Sequence, residues 1–390
     1  MSLDTSFDIK NIICSYLYDL KNIINLYNLN KDHQNNIIIT NLFEIPQKYL
    51  NRLNQKIIEQ NKYRYVEKLN DYNKKIKNVN HLKNTLKKLN CSWNYGIDQN
   101  GILELNLIEL YAAGNEKIEN VNHMKNTLKK LDCSYRCGID QNGISELNLI
   151  KLNAYNNKKI KNINHMKETL KILDCSWYCG IDQNGISELN LIELAICNNK
   201  QIKNISHMKN TLKILRCSGK SGIDQNSLSE LNLIELEAQN NEKIQNVNHM
   251  KETLKKLHCH GNNSGIDQNG ISELNLIELY TSENKKIKNV NHMKNTLKKL
   301  YCCGDSGIDQ NGISELNLKR LFAHNNKKIK NVNHMKKTLK ILHCSGYDSG
   351  IDQNGISELN LISLSVVGNE KIKNVNHMKN TLKILNLIKL

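Results

Sequence analysis

After about residue 65 the apolar positions of this chain fall into one frame that recurs to the end. One half-unit reads Leu107-x-x-Leu110-x-Ala112-x-x-Asn115-x-x-Ile118, and the next reads Leu128-x-x-Leu131-x-Cys133-x-x-Arg136-x-x-Ile139. The Gly that opens each Gly-Ile-Asp stretch stands at 96, 138, 180, 222, 265, 307 and 350, so the double unit is 42 or 43 residues long. In most half-units a Leu-x-Ala or Leu-x-Cys alternation turns both residues to one side of a short strand. The Asn that follows can use its side-chain amide to satisfy backbone groups where the chain leaves the sheet. It is present in every first half, as Asn115, Asn157, Asn199, Asn241, Asn284, Asn326 and Asn369. The second halves are looser, with Asn94, Arg136, Tyr178 and Lys220, and with an extra residue near Asn262 and Asp348. The first return carries Ile118, Val121, Met124 and Leu128 at helical spacing. Eight strands of one kind and seven of the other are predicted.

This frame is similar to that of the short leucine-rich repeats, and the likeness covers some four fifths of the chain. It implies an α/β fold: a leucine-rich repeat solenoid over 65–390, with a curved parallel sheet of about 15 strands and short helical or irregular convex returns. A small helical module over 1–64 precedes it.

The second return, GIDQNGISELNL, has the look of a calcium loop. A helix-loop-helix calcium site draws about six or seven oxygens from twelve residues. Asp140, Asn142 and Glu146 lie within seven residues and supply only two carboxylates. A turn is the expected reading, with Ile139 and Ile144 as core plugs and Gly143 where a side chain would clash.

Two further columns invite a chemical reading: His81 to His377, one per double unit, and Cys91, Cys133, Cys175, Cys217, Cys259, Cys302 and Cys344. Equivalent positions two strands apart are separated by about 9.5 Å, too far for a disulfide or a shared zinc ion. The Cys column reads as small buried hydrophobes. The pairs Cys133/Cys137 and Cys175/Cys179 leave zinc as a minor alternative. No phosphate loop or nucleophile elbow occurs, so no enzyme, cofactor or metal is expected.

The informative contrast is among copies within the chain. The frame is nearly constant, whereas outward positions differ from copy to copy. They include Tyr111, Asp132, Asp174, Arg216, Glu237, His258, Tyr280, Tyr301 and Phe322, and the aromatic Trp93, Tyr135, Tyr155 and Trp177 stand close by. Aromatic residues on a rigid concave sheet suit a protein partner, which is the expected function: a protein–protein interaction scaffold. Unrestrained drift of surface positions is the alternative explanation. The formal charge is +17, with 55 Lys and Arg against 38 Asp and Glu. On the strands Lys88, Lys130 and Lys256 alternate with Glu109, Glu193, Glu235 and Glu278, so the surplus falls on segments such as Lys158-Lys159-Ile160-Lys161. A basic edge there makes anion or nucleic-acid binding the alternative function; plain solvation of the surface is the simpler account.

Residues 1–64 leave the frame. Phe7, Ile9, Ile12, Ile13 and Leu17 fit an amphipathic helix, Leu20 to Leu26 a second, and Pro46 opens a third with Leu50, Leu53, Ile57 and Ile58 on one face. The stretch DIKNIICSYLYDLKNIINLYNLNK resembles an F-box, which implies docking on the adaptor of a cullin-type ubiquitin ligase through Phe7, Ile9, Ile12, Ile13 and Leu17. It lacks the usual Leu-Pro opening, and a plain cap for the first repeat is the other reading. With its Asn, Lys and Ile bias, the chain resembles the leucine-rich repeat proteins of giant, Mimivirus-like DNA viruses of amoebae. That resemblance implies a viral protein in host cytoplasm, with the nucleus as a second compartment. No secretory signal or membrane span is legible. The closing TLKILNLIKL ends at a strand, so self-association through that edge is a further expectation.

Overall fold

The computed structural model describes residues 39–43, 50, 53–71, 74–93 and 96–387. The expected helices through Phe7, Ile9, Ile12, Ile13 and Leu17 and through Leu20 to Leu26 lie outside them, as does Pro46. The chain divides into two compact units, residues 1–191 and 192–390.

In the first unit the strands are β1 (Asn41–Leu42), β2 (Lys68–Asn70), β3 (Lys88–Asn90), β4 (Glu109–Tyr111), β5 (Lys130–Asp132), β6 (Lys151–Asn153) and β7 (Ile172–Asp174). In the second they are β8 (Glu193–Ala195), β9 (Ile214–Arg216), β10 (Glu235–Glu237), β11 (Lys256–His258), β12 (Glu278–Tyr280), β13 (Lys299–Tyr301), β14 (Arg320–Phe322), β15 (Ile341–His343), β16 (Ser363–Ser365) and β17 (Ile384–Asn386). Within each unit sequential strands pair in parallel and in register, so that Leu89 faces Leu110, Leu110 faces Leu131 and Leu236 faces Leu257. Each unit is a leucine-rich repeat solenoid. Among the described residues two strands, β1 and β2, join the fifteen that the repeat frame predicts. Asn41–Leu42 pairs with Lys68–Leu69, so the sheet begins upstream of residue 65.

From β3 to β16 the central Leu points inward and is buried, as are the Ala or Cys two residues on (Ile196, Thr281 and Val366 in three copies) and most of the Ile, Val, Met and Leu of the returns. The thiols of the Cys column are pushed upward by burial, the opposite of what a metal ligand or nucleophile needs. Cys137 and Cys179 are buried too, and burial pushes their thiols up to about 11 and about 12. The returns are tighter than helical spacing predicts. Nearly all contain one 3-10 turn, such as Asn122–Met124 or Asn142–Ile144, and among the described residues two four-residue helices occur, α1 (Gln55–Ile58) and α2 (Gln225–Leu228). Twenty-odd residues must go out and back within one strand spacing, which leaves room for a single turn.

Buried asparagines stitch the units' strands and returns together. The Asn157 amide donates to the carbonyls of Cys133 at 2.8 Å and Ile139 at 3.2 Å, and its oxygen accepts from the Lys159 amide at 2.9 Å. Asn115, Asn241, Asn284, Asn326 and Asn369 repeat the pattern.

The polar residues of GIDQNG serve the backbone. Asp140 Oδ1 accepts from the Gly143 amide at 2.9 Å, closing the turn. Gln141 reaches into the next return, where its oxygen accepts from the Lys161 and Asn162 amides and its nitrogen donates to the Asn162 carbonyl. A Cβ on Gly143 would lie 2.0 Å from the Glu119 carbonyl oxygen, so glycine is required by close approach. In the one copy that carries Ser227 instead, the turn is helical, and the hydroxyl donates to the Lys203 carbonyl. The His column is equally structural. His123 and His165 donate from Nε2 to the carbonyls of Ile102 and Ile144, and burial lowers both imidazole pKa values despite those bonds.

Replacing Asn157 by Ala removes two buried hydrogen bonds and a part-buried one and strands two carbonyls, and a loss of about 3 kcal/mol in unfolding free energy by urea denaturation is expected. A change below about 0.5 kcal/mol, the size expected for an exposed surface site, would contradict that role.

Candidate functional site

On every strand the first and third residues face outward around the inward Leu, so each unit presents two outward columns. In the first unit the third-residue column runs Asn90, Tyr111, Asp132, Asn153 and Asp174. With Ser92, Trp93, Ala113, Ser134, Tyr135 and Tyr155 from the turns that follow, these residues line a 450 Å³ concavity. Trp177 continues the aromatic surface. Ring centroids lie 4.7 Å apart for Trp93 and Tyr135, 5.1 Å for Tyr135 and Tyr155, and 6.3 Å for Tyr155 and Trp177, all tilted by roughly half a right angle. Trp93, Tyr135 and Trp177 are 54%, 38% and 44% exposed.

Those three residues share a backbone anomaly. Their φ values are 67°, 60° and 62°, the left-handed region, which strains bulky side chains. The equivalent place, two residues after the buried Cys, is held in the later copies by Gly219, Gly261, Gly304 and Gly346, all with positive φ. The fold therefore works with glycine there, and the first unit departs from it with its largest aromatics. At one level the neighbouring column compensates in size. Trp93 leans over Gly114, where an added Cβ would meet the indole at 2.9 Å, whereas Gly261 and Gly346 lie under the side chains of Asn240 and Asn325.

Asp132 sits in the midst of this surface, half-buried. Its Oδ1 accepts from the Ser134 amide and hydroxyl, and its Oδ2 from the Asn153 amide. None of these donors is charged, so the carboxylate's negative charge is not compensated by them. On the adjacent first-residue column Glu109 is served by Lys88 at 3.2 Å and Lys130 at 2.6 Å. Burial opposes its ionisation, but these lysines and the Tyr111 hydroxyl together hold the carboxyl down to about 2.

The second unit's candidates are arranged differently. His258, Tyr280, Tyr301 and Phe322 stack nearly parallel, with centroids 3.8, 4.0 and 4.1 Å apart, and His343 closes the row tilted at 4.6 Å. Their faces are spent on one another, so only edges are offered outward. Burial pushes the His258 imidazole down to about 4, helped by Lys256 and His260. Arg216 bonds both Glu193 and Glu237, which ties up two of the expected contact residues in one ion-pair bridge. Among the described residues one group, Glu235, Glu237 and His258, is close enough to share an ion. Its carboxylates already pair with Lys256 and Arg216.

The basic edge is largely engaged. Lys159 donates to the Gly138 carbonyl, and Lys243, Lys286, Lys328 and Lys371 donate to the carbonyls of Ser221, Ser264, Ser306 and Ser349. On the returns Lys83, Lys125, Lys167, Lys209, Lys251, Lys294 and Lys336 pair with Glu104, Glu146, Glu188, Glu230, Glu273, Glu315 and Glu358. Phe43, upstream of the repeat frame, is a surface residue that the frame does not reveal. Its ring lies 5.9 Å from Tyr111, with the Lys88 ammonium 4.0 Å over it.

No protein-family model matches the chain, and no curated protein does. Among solved structures it is similar to the Rad7 and Elc1 complex of yeast, at 14% identity over 97% of this chain and 92% of that one, with a TM-score of 0.47. It is also similar to the functional domain of InlJ from Listeria monocytogenes, at 19% identity over 78% and 70% with a TM-score of 0.45. At such values the likeness carries no information on partner or activity. No helix among the described residues is long and apolar enough to cross a membrane.

Alanine is ordinarily the less destabilising replacement, but at a left-handed position the order inverts. Trp177→Gly should exceed Trp177→Ala in stability by about 1 kcal/mol in urea denaturation. The usual order would contradict the backbone conformation.

Proposed function

We propose that the chain is a protein-binding scaffold whose partner seats on the aromatic strand face of the first unit. The observation that carries this reading is the placing of Trp93, Tyr135 and Trp177 at left-handed positions that four later copies give to glycine. Strain of this kind costs about 1–3 kcal/mol per residue and persists where something other than stability is gained. Large, rigid and exposed aromatics are what a binding surface gains from. Asp132 adds a requirement: the partner should set a basic group over the concavity, where a cation meets both a carboxylate and aromatic faces.

The stacked rings of β11 to β15 support a different role for His258, Tyr280, Tyr301 and Phe322, that of a spine stiffening the second unit. In the finer reading the chain delivers its partner to a cullin-type ubiquitin ligase. Phe7, Ile9, Ile12, Ile13 and Leu17, which lie outside the described residues, would then meet the adaptor.

The variant W93G/Y135G/W177G separates binding from folding, because the chain itself uses glycine at this place. Affinity capture from cell extract should yield proteins held by the native chain and lost from the variant, at equal or higher melting temperature. An unchanged set of captured proteins would overturn the strand-face reading. Capture of a cullin adaptor that fails with I12D/I13D would carry the finer one.

A further inference from the structure

The row just before the strands carries a regular alternation. In the second unit it reads Ile192, Lys213, Ile234, Lys255, Ile277, Lys298, then Lys319 and Lys340, then Ile362 and Lys383. The isoleucines are exposed. Only Lys319 breaks the pattern, standing where every other first half has isoleucine. The next residue also differs from its counterparts: Arg320 stands where the other copies have Glu109, Lys151, Glu193, Glu235, Glu278 and Ser363. A third departure lies on the following return, where Lys337 replaces the residue that is Asn84, Asn126, Glu168, Asn210, Glu252, Asn295 or Asn380 in the other copies.

Two of these departures meet in one place. Lys319 and Lys337, with Lys298 and Lys340, surround a second 450 Å³ concavity, completed by Asn317 and Thr338. The equivalent place one double unit earlier holds Lys255, Ile277, Asn295 and Lys298, with half as many charges. Among the described residues none of the four lysines takes part in an ion pair, unlike Lys294 and Lys336 nearby. Lys319, Lys337 and Lys340 are exposed, and Lys298 donates to the Asn295 carbonyl. Four lysines border this concavity and no carboxylate lines it, so their combined positive charge favours a multiply charged anion there.

We propose that this concavity is a binding site for a polyphosphorylated group, free or borne on a lipid head. Lysines act as point charges without the fork that reads a single planar carboxylate, which suits several phosphates clustered together. A nucleic-acid backbone needs a basic track that continues along the surface. Here the row returns to isoleucine on both sides, at Ile277 and Ile362, so the charge is local.

The test uses the full chain and K319I/K337N, whose replacements are residues that the other copies carry at the same places. Inorganic tripolyphosphate is titrated calorimetrically at low ionic strength. The native chain should bind it with an affinity that falls steeply with salt, and the variant should bind roughly tenfold more weakly or worse, at unchanged melting temperature. Flotation with phosphatidylcholine vesicles carrying a phosphoinositide, against vesicles of equal charge made with phosphatidylserine, identifies the source. Selective phosphoinositide flotation marks a lipid head, and tripolyphosphate binding without it marks a free ligand. Absence of tripolyphosphate binding overturns the proposal. So does binding that the variant retains, or RNA binding that outcompetes tripolyphosphate and ignores the two substitutions.

Discussion

A buried side-chain amide repeated down the chain is the constraint on which the rest of this structure depends. Each half-unit must turn sharply out of a three-residue strand, leaving backbone carbonyls in the interior with no water to serve them. Asn157 answers by donating to Cys133 and Ile139 while accepting from Lys159, and its counterparts do the same. Because the bonds run between neighbouring turns, they fix the distance and the register of successive coils at once. In-register strands then place equivalent side chains in straight columns, and whatever a column carries is presented as a row.

Rows of outward residues give this repeat protein its individuality. The inward columns have little freedom: Leu and Cys recur at every level, and the Ala column admits only the small or branched Ile196, Thr281 and Val366. The turn two residues after the Cys is forced into the left-handed region, and glycine is its natural occupant. Trp93, Tyr135 and Trp177 oppose that preference in three successive double units; the Trp93 and Tyr135 rings meet, and Tyr155 links Tyr135 to Trp177. Further along, Lys319 and Lys337 depart from the repeat in the same spirit, replacing an apolar and a polar residue at neighbouring places. In both cases the repeat supplies its own reference, because other copies show what the fold would accept.

Much of the architecture was legible in the chain because burial dictates identity. The Leu, Cys and Asn columns announced the strands, the turns and their parallel order. The returns misled in one respect: Ile118, Val121 and Met124 at helical spacing serve a single 3-10 turn equally well. β1 and β2 escaped because Asn41–Leu42 has two residues and Lys68–Asn70 lacks the full frame. The candidate surface was legible as a set of residues but not as a geometry. Nothing in the residue types distinguishes the tilted, exposed rings near Trp93 from the stacked, mutually covered rings near Tyr301. The backbone strain had a readable sign, however, in the column that turns from Trp and Tyr to Gly219, Gly261, Gly304 and Gly346.

The central claim is that a protein partner meets the strand face of the first unit. Site-specific photo-cross-linking inside cells addresses it whatever the partner's identity. A benzophenone amino acid replaces Tyr155, on that face, in one variant and Lys161, on the basic edge, in another. A discrete adduct from position 155 and none from 161 is the predicted result; the reverse would contradict the account.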